Sequence, residues 1–167
     1  MKISSRVHYG LRALTQLATH YDSGLLSLTD IARNECLPLA YLEQLVGELR
    51  RAGLVEGTRG LHGGYRLSRS PEAITVGEVY RVLEGPIAPV ECTAEDYSPG
   101  SCSVEHGCLS RSVWMRVRDS ISQILDATTL ADLQKQEPGA GHRAASFITL
   151  DQFQDAARTV GCAATKS

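Results

Sequence analysis

Apolar residues recur at helical spacing from about Ser5 to Tyr21, where Val7, Leu11, Leu14, Leu17, Ala18 and Tyr21 share one face of a predicted amphipathic helix. Asp22-Ser23-Gly24 breaks the pattern. Ser27-Leu28-Thr29-Asp30 predicts a second helix start, with Ser27 as cap and Asp30 near the positive helix end; Ile31 and Ala32 supply its buried side. Cys36-Leu37-Pro38-Leu39 is a tight turn, and Pro38 lies at or next to the start of a third helix. That helix turns Leu42, Leu45, Val46 and Leu49 inward and stops at Gly53. Its outward face shows Ala40, Tyr41, Glu43, Gln44, Arg50 and Arg51.

Alternation returns in Leu54-Val55-Glu56 and Tyr65-Arg66-Leu67, which predicts two strands. Thr58-Arg59-Gly60-Leu61-His62-Gly63-Gly64 joins them as a flexible basic tip. Glycines allow close approach to a groove, and Arg59 can enter a negative minor groove. Two short helices, a tight turn and a basic hairpin make a winged helix-turn-helix. Thr75-Val76-Gly77-Glu78 opens a further helix through about Glu84, ended by Gly85-Pro86. A loop then runs to about Gly107, too long for a bland connection. Val113, Val117, Ile121, Ile124 and Leu125 stripe a long helix from about Leu109 to Asp126. A second copy of the chain is the economical cover for that stripe, because two-fold DNA readers are dimers. Thr129-Leu130-Ala131-Asp132-Leu133 predicts a short capped helix.

The expected fold class is therefore mainly α with a small β-hairpin wing. Four segments are expected: a winged helix-turn-helix over 1–85, a cysteine loop over 86–108, a dimerisation helix with the short capped helix over 109–136, and a mostly flexible tail over 137–167. The tail is rich in Pro, Gly, Ala and Thr, with a short amphipathic stretch near Leu150–Val160.

Net charge is −2, but residues 1–70 hold nine Lys/Arg against six Asp/Glu, while residues 71–167 hold eight against thirteen. A basic front suits contact with phosphate; an ordinary solvated surface gives the same asymmetry. No run of about 18 apolar residues is present. The first residues run into an amphipathic pattern without a signal-peptide core, so a cytoplasmic protein without membrane contact is expected. No nucleophile–base pairing, phosphate loop or cofactor fingerprint points to an enzyme.

Five cysteines in a reducing compartment are free, metal-bound or redox-active sooner than disulfide-bonded. Cys92-x9-Cys102-x5-Cys108 groups three in one loop without a CxxC, which disfavours a zinc ribbon. Wider spacing suits a larger object such as an iron–sulfur cluster, and thiolates are soft donors for iron. Spacing alone leaves the metal open, and three unrelated thiols are the alternative. Fourth-ligand candidates nearby are His106, Glu105 and Glu91. Cys36 reads as a small buried residue and Cys162 as a free thiol in the tail.

Five stretches together give the chain its resemblance to a family. They are Tyr9-Gly10-Leu11-Arg12-Ala13-Leu14, Leu39-Ala40-Tyr41-Leu42-Glu43-Gln44-Leu45, Arg59-Gly60-Leu61-His62-Gly63-Gly64-Tyr65, Val76-Gly77-Glu78-Val79 and Cys108-Leu109-Ser110-Arg111-Ser112-Val113-Trp114. From about Met1 to Leu133 the chain resembles the bacterial winged-helix regulators typified by IscR, NsrR and RirA. The resemblance implies a homodimer on palindromic double-stranded DNA and an iron–sulfur cluster that changes DNA affinity. It implies Tyr41, Glu43 and Gln44 in the major groove, Arg59 and Gly60 in the minor groove, and Cys92, Cys102 and Cys108 on the cluster.

Two departures matter. The first cysteine gap is longer than in the best-known members. The IscR branch also places a ligand histidine where Arg111 stands here, and arginine does not ligate iron. The NsrR-like branch takes an acidic ligand from the first helix of the other subunit, and the matching residue here is His8, a competent ligand. His8 is the expected fourth ligand and His106 the alternative; mixed Cys/His ligation favours 2Fe–2S over 4Fe–4S. The full DNA-facing set is Thr29, Pro38, Ala40, Tyr41, Glu43, Gln44, Arg50, Arg51, Arg59, Gly60 and His62. The expected function is a repressor that senses iron–sulfur status, iron, redox state or nitric oxide. Rival expectations are a cluster-free regulator answering to a protein partner or thiol oxidation, and a small electron-transfer protein.

Overall fold

The computed structural model describes residues 4–60 and 63–135. The chain runs α1 (Ser5–Thr19), α2 (Leu28–Asn34), α3 (Leu39–Arg51), β1 (Val55–Thr58), β2 (Gly64–Leu67), α4 (Val76–Glu84), α5 (Arg111–Ala127) and α6 (Leu130–Lys135), with short 3-10 turns at Pro71–Ala73, Glu91–Thr93 and Glu105–Gly107. Local chemistry sets most boundaries. Ser27 Oγ accepts the Asp30 backbone N–H at 3.1 Å, and Thr75 Oγ1 accepts that of Glu78 at 3.1 Å, so both capping expectations hold. Thr129 Oγ1 caps α6 in the same way, accepting from Asp132 N at 3.1 Å. The first helix ends at Thr19, two residues before Tyr21, and the chain then turns over residues 20–23.

The core forms around α1. Val7, Ala13, Leu14 and Leu17 of α1 meet Leu42, Leu45, Val46 and Leu49 of α3, with Val79 and Leu83 of α4; all are at most 3% exposed. This is the apolar face that the heptad-like spacing specifies. Strands β1 and β2 pair antiparallel, Val55 opposite Leu67 through Thr58 opposite Gly64. Leu26 adds a bridge to Tyr65, with its N–H donating to the Tyr65 carbonyl at 2.9 Å and its carbonyl accepting from Tyr65 N at 2.8 Å. The hairpin is thereby sewn to the segment that leads into α2. Gly60 at its tip has φ +123°, a conformation that favours glycine.

The short helix α6 packs back onto the body. Leu130 is fully buried in the same core as α1, Leu130 N donates to the Ile74 carbonyl at 3.0 Å, and Val76 N donates to the Thr128 carbonyl at 2.8 Å. Cys36 is half-exposed rather than buried, with φ +51°, because it carries the chain out of α2 into the turn before Leu37 enters the core. The tail readings over 137–167 and Cys162 lie outside the described residues.

Leu49 of α3 is fully buried in the core shared with α1, so Leu49→Ala should lower unfolding free energy by about 2–5 kcal/mol in a denaturant titration.

Candidate DNA-reading head and cysteine loop

The exposed face of α3 carries Ala40, Glu43, Gln44, Arg50 and Arg51, and Thr29 on α2 and Pro38 at the α3 N-cap are exposed beside it. Arg59 and Gly60 are exposed at the hairpin tip, whereas His62 lies outside the described residues. Tyr41 differs from its expected free outward position. It is half-buried, and its ring stands edge-on to Tyr9 of α1, centroids 6.0 Å apart at 88°. Leu39, Ala40, Glu43 and Gln44 fill the first turns of α3, so side chains able to bond base edges share one surface with flanking arginines.

The loop between α4 and α5 is fixed at two places. Its first part, which carries Cys92, is clamped by arginines. Arg118 of α5 donates to the Thr93 carbonyl at 3.1 Å. Arg81 of α4 bonds both Glu95 of the loop, at 2.7 Å, and Asp126 of α5, at 2.6 Å. Gly77 makes room for this three-way joint, since a Cβ there would stand 1.9 Å from Asp126 Oδ1. The Arg81 hydrogen bonds hold the Glu95 and Asp126 carboxyls below their usual range.

The second part is tied by its own polar groups. Glu105 accepts from Gly100 N at 2.6 Å and Tyr97 Oη at 3.1 Å, and pairs with Arg111 at 3.5 Å. Tyr97 Oη in turn accepts from Cys102 N at 3.0 Å, and the Arg111 guanidinium lies 5.6 Å over the Tyr97 ring. Glu105 thus braces the loop, which accounts for it better than the ligand role considered from sequence. The Gly100 N–H is the main cause holding its carboxyl below the usual range.

Cys92, Cys102 and Cys108 are free and half-exposed. Cys92 and Cys102 line one cleft with Glu91, Asp96 and Tyr97. Cys108 is not among the residues lining that cleft; it lies just before α5, where Ser110 Oγ is 3.4 Å from its sulfur. That hydrogen bond, with the N–H groups of Ser110 and Arg111 and the Arg111 charge, holds the thiol below its ordinary range. Among the described residues no three His, Cys, Asp or Glu side chains stand close enough to hold a single metal ion. The donor chemistry nevertheless fits a thiolate-bound group: three free soft donors share one loop, and Arg111 Nε is buried there without a hydrogen-bond partner.

His8 is exposed on α1, and desolvation followed by the Arg12 charge lowers its pKa, against a smaller opposing effect of Glu35. Its imidazole is therefore neutral near pH 7 and keeps a lone pair for a metal. His106 is exposed in the 3-10 turn at Glu105–Gly107.

A family model described as an iron-dependent transcriptional regulator, Rrf2, matches residues 3–136. The chain belongs to the Rrf2 family. The regulator CymR of Bacillus subtilis is 46% identical over 139 residues, covering 83% of this chain and 94% of that protein. IscR of Aliivibrio salmonicida is 35% identical over 133 residues, covering 80% of this chain and 77% of that one. Two solved structures agree. CymR, the global cysteine regulator of B. subtilis, superposes with TM-score 0.67 at 46% identity, covering 80% of this chain and 96% of its own. T. potens IscR gives 0.64 at 42%, covering 81% and 87%.

This Rrf2-family chain is a DNA-binding transcription regulator and not an enzyme, which removes the electron-transfer alternative. Among the described residues no helix is long and apolar enough to cross a membrane. Sequence reasoning missed the Arg81 joint and the Glu105 brace. Their partners are 14 and 45 residues apart for Arg81 and 8 residues apart for the Tyr97–Glu105 bond, and no periodicity links such positions.

Two measurements check the loop. In metal-free protein, iodoacetamide should alkylate Cys108 with a rate that is half-maximal below pH 9.0, and Ser110→Ala should move that midpoint upward. The depressed Glu95 and Asp126 pKa values stabilise the fold above the ordinary carboxylate values of 4.5 and 3.8, and that contribution is lost as pH falls through the folded values. Arg81→Gln should lower stability at neutral pH and flatten the acid limb of the stability–pH profile.

Proposed function

We propose that this regulator controls its DNA affinity through an iron–sulfur cluster held by Cys92, Cys102 and Cys108. The observation that carries the reading is the loop itself: its three free thiols are its soft donors, and it is anchored on both α4 and α5. A cluster would supply a centre that iron shortage, oxidants or nitric oxide can alter. His8 of the partner subunit supplies the fourth ligand, and His106 is the alternative; this mixed set favours 2Fe–2S. The N-terminus of α1 touches the end of α4, where Arg6 Nε donates to the Leu83 carbonyl at 3.0 Å, just before the loop begins. A ligand on α1 therefore acts on the helix that packs against α3.

The protein works as a homodimer. In the single chain no residue of α5 is buried, and Val113, Trp114, Val117 and Ile124 are 54%, 40%, 36% and 65% exposed, so a second copy covers this face. The two reading heads then bind a palindromic operator. Glu43 and Gln44 read base edges with Ala40 beside them, Thr29, Pro38 and Tyr41 border the contact, Arg50 and Arg51 contact phosphate, and Arg59, Gly60 and His62 meet the minor groove. Repression follows where the operator overlaps a promoter.

A second reading has its own support. CymR is a cysteine regulator, and a solved Staphylococcus aureus CymR in its oxidised form is 38% identical, with TM-score 0.65. A cluster-free regulator answering to thiol oxidation or a protein partner accords with the position of Cys108 outside the Cys92–Cys102 cleft.

Anaerobic purification with visible absorption and iron and sulfide analysis separates the two. The cluster reading expects a coloured protein with matching iron and sulfide. It expects the colour and the cluster-dependent change in DNA affinity to vanish in Cys108→Ala, and the spectrum to change in His8→Ala. A colourless protein whose DNA binding survives Cys108→Ala establishes the second reading. In either case affinity should fall steeply with salt.

A further inference from the structure

Helix α1 grips α3 near its C-terminal end and the α2–α3 turn ahead of its start. At the far end, Arg6 Nη2 bonds Glu48 Oε2 at 2.6 Å. At the near end the grip falls on the turn and first helical turn that present the reading surface. Arg12 Nε donates to Glu35 Oε2 at 2.8 Å, Arg12 Nη2 donates to the Glu35 backbone carbonyl, and Gln16 Nε2 donates to Glu35 Oε1 at 2.6 Å. Glu35 is the C-cap of α2, so Arg12 also satisfies a carbonyl at a helix end. The next residue is Cys36 at φ +51°. Above this bracket, the Arg12 guanidinium lies 5.9 Å over the Tyr9 ring, and Tyr9 holds the Tyr41 ring edge-on at 6.0 Å.

We infer that Arg12, Tyr9 and Glu35 are positioning residues for base readout: their bracket sets the angle at which the first turn of α3 meets the groove. This rests on α3 being the reading helix, as proposed above, and not on the cluster. Non-specific binding rests on charge neutralisation and counterion release, which tolerate small rotations, whereas bidentate bonds to base edges do not. The bracket should therefore govern specificity and leave non-specific affinity alone. Arg12 is engaged on its fork by Glu35 and on its face by Tyr9, so it is not spare charge for phosphate.

Charge alone predicts the opposite sign. Glu35→Ala removes a negative charge near DNA and would tighten all DNA binding by electrostatics; as a loss of positioning it weakens only specific binding. The experiment uses the full chain with two duplexes: one recovered by the wild-type protein from a randomised library by repeated selection, and one of random sequence. Glu35→Ala should lose at least about ten-fold in affinity for the selected duplex. Its affinity for the random duplex should be unchanged or higher. Arg12→Ala should show the same selective loss, and the double variant should lose little more than either single one. Tyr9→Phe, which keeps the ring, should behave as wild type, and Tyr9→Ala should not.

Glu35→Ala binding the selected duplex as tightly as wild type overturns the inference. So does equal loss on both duplexes, which marks a merely structural role. Gln44→Ala separates this failure from that of the reading beneath it: no effect there means that α3 does not read bases, and both then fall.

Discussion

The buried face of α1 is the contact on which the other parts depend. Ala13 and Leu14 are fully buried, and α3, α4, α6 and the hairpin strand β2 all pack on this one helix. The buried core is almost wholly Leu, Ile, Val and Ala, so it relies on close aliphatic packing. One helix that touches these four elements also links them. Rotation or translation of α1 alters the seat of α3 and the wing together, because packed interfaces shift between discrete arrangements sooner than they deform.

Polar groups then convert an adaptable apolar contact into a defined geometry. Burial of leucines is non-directional and leaves the angle of α3 loosely specified. Arg6 on Glu48 of α3, and Arg12 on Glu35 at the C-cap of α2 just before the turn into α3, supply direction. Half-exposed ion pairs of this kind contribute little net stability, and their value lies in geometry. His8 lies on α1 one residue before Tyr9, its ring 5.7 Å from the Tyr9 ring, beside the Arg12–Glu35 bracket.

The cysteine loop follows the same logic with less apolar surface. Thr93 and Ile87 are its buried anchors, and otherwise Arg81, Arg118 and Glu105 hold it. The loop is thus fixed mainly by charged and polar hydrogen bonds, around Cys92 through Arg118 and Arg81 and around Cys102 through Tyr97 and Glu105. Such a loop suits a switch, since few buried apolar contacts mean a low cost of rearrangement. The turn at Glu91–Thr93, which carries Cys92, packs on α5, so the loop and that helix are joined.

The sequence by itself determined the order and type of elements, the caps at Ser27 and Thr75, the inward faces of α1 and α3, the hairpin, and the gathering of three cysteines in one loop. Each is local: periodicity, capping and turn chemistry act over a few neighbouring residues. Tertiary structure decided that Tyr41 leans on Tyr9 instead of standing free, that α6 returns to the α1 core, and that Cys36 is half-exposed in a left-handed turn. It also decided that Glu105 braces the loop and that Arg81 joins three elements. These features depend on contacts between distant positions, where a long polar side chain finds one partner among several. No spacing along the chain encodes that choice; it is made when packing brings the helices together.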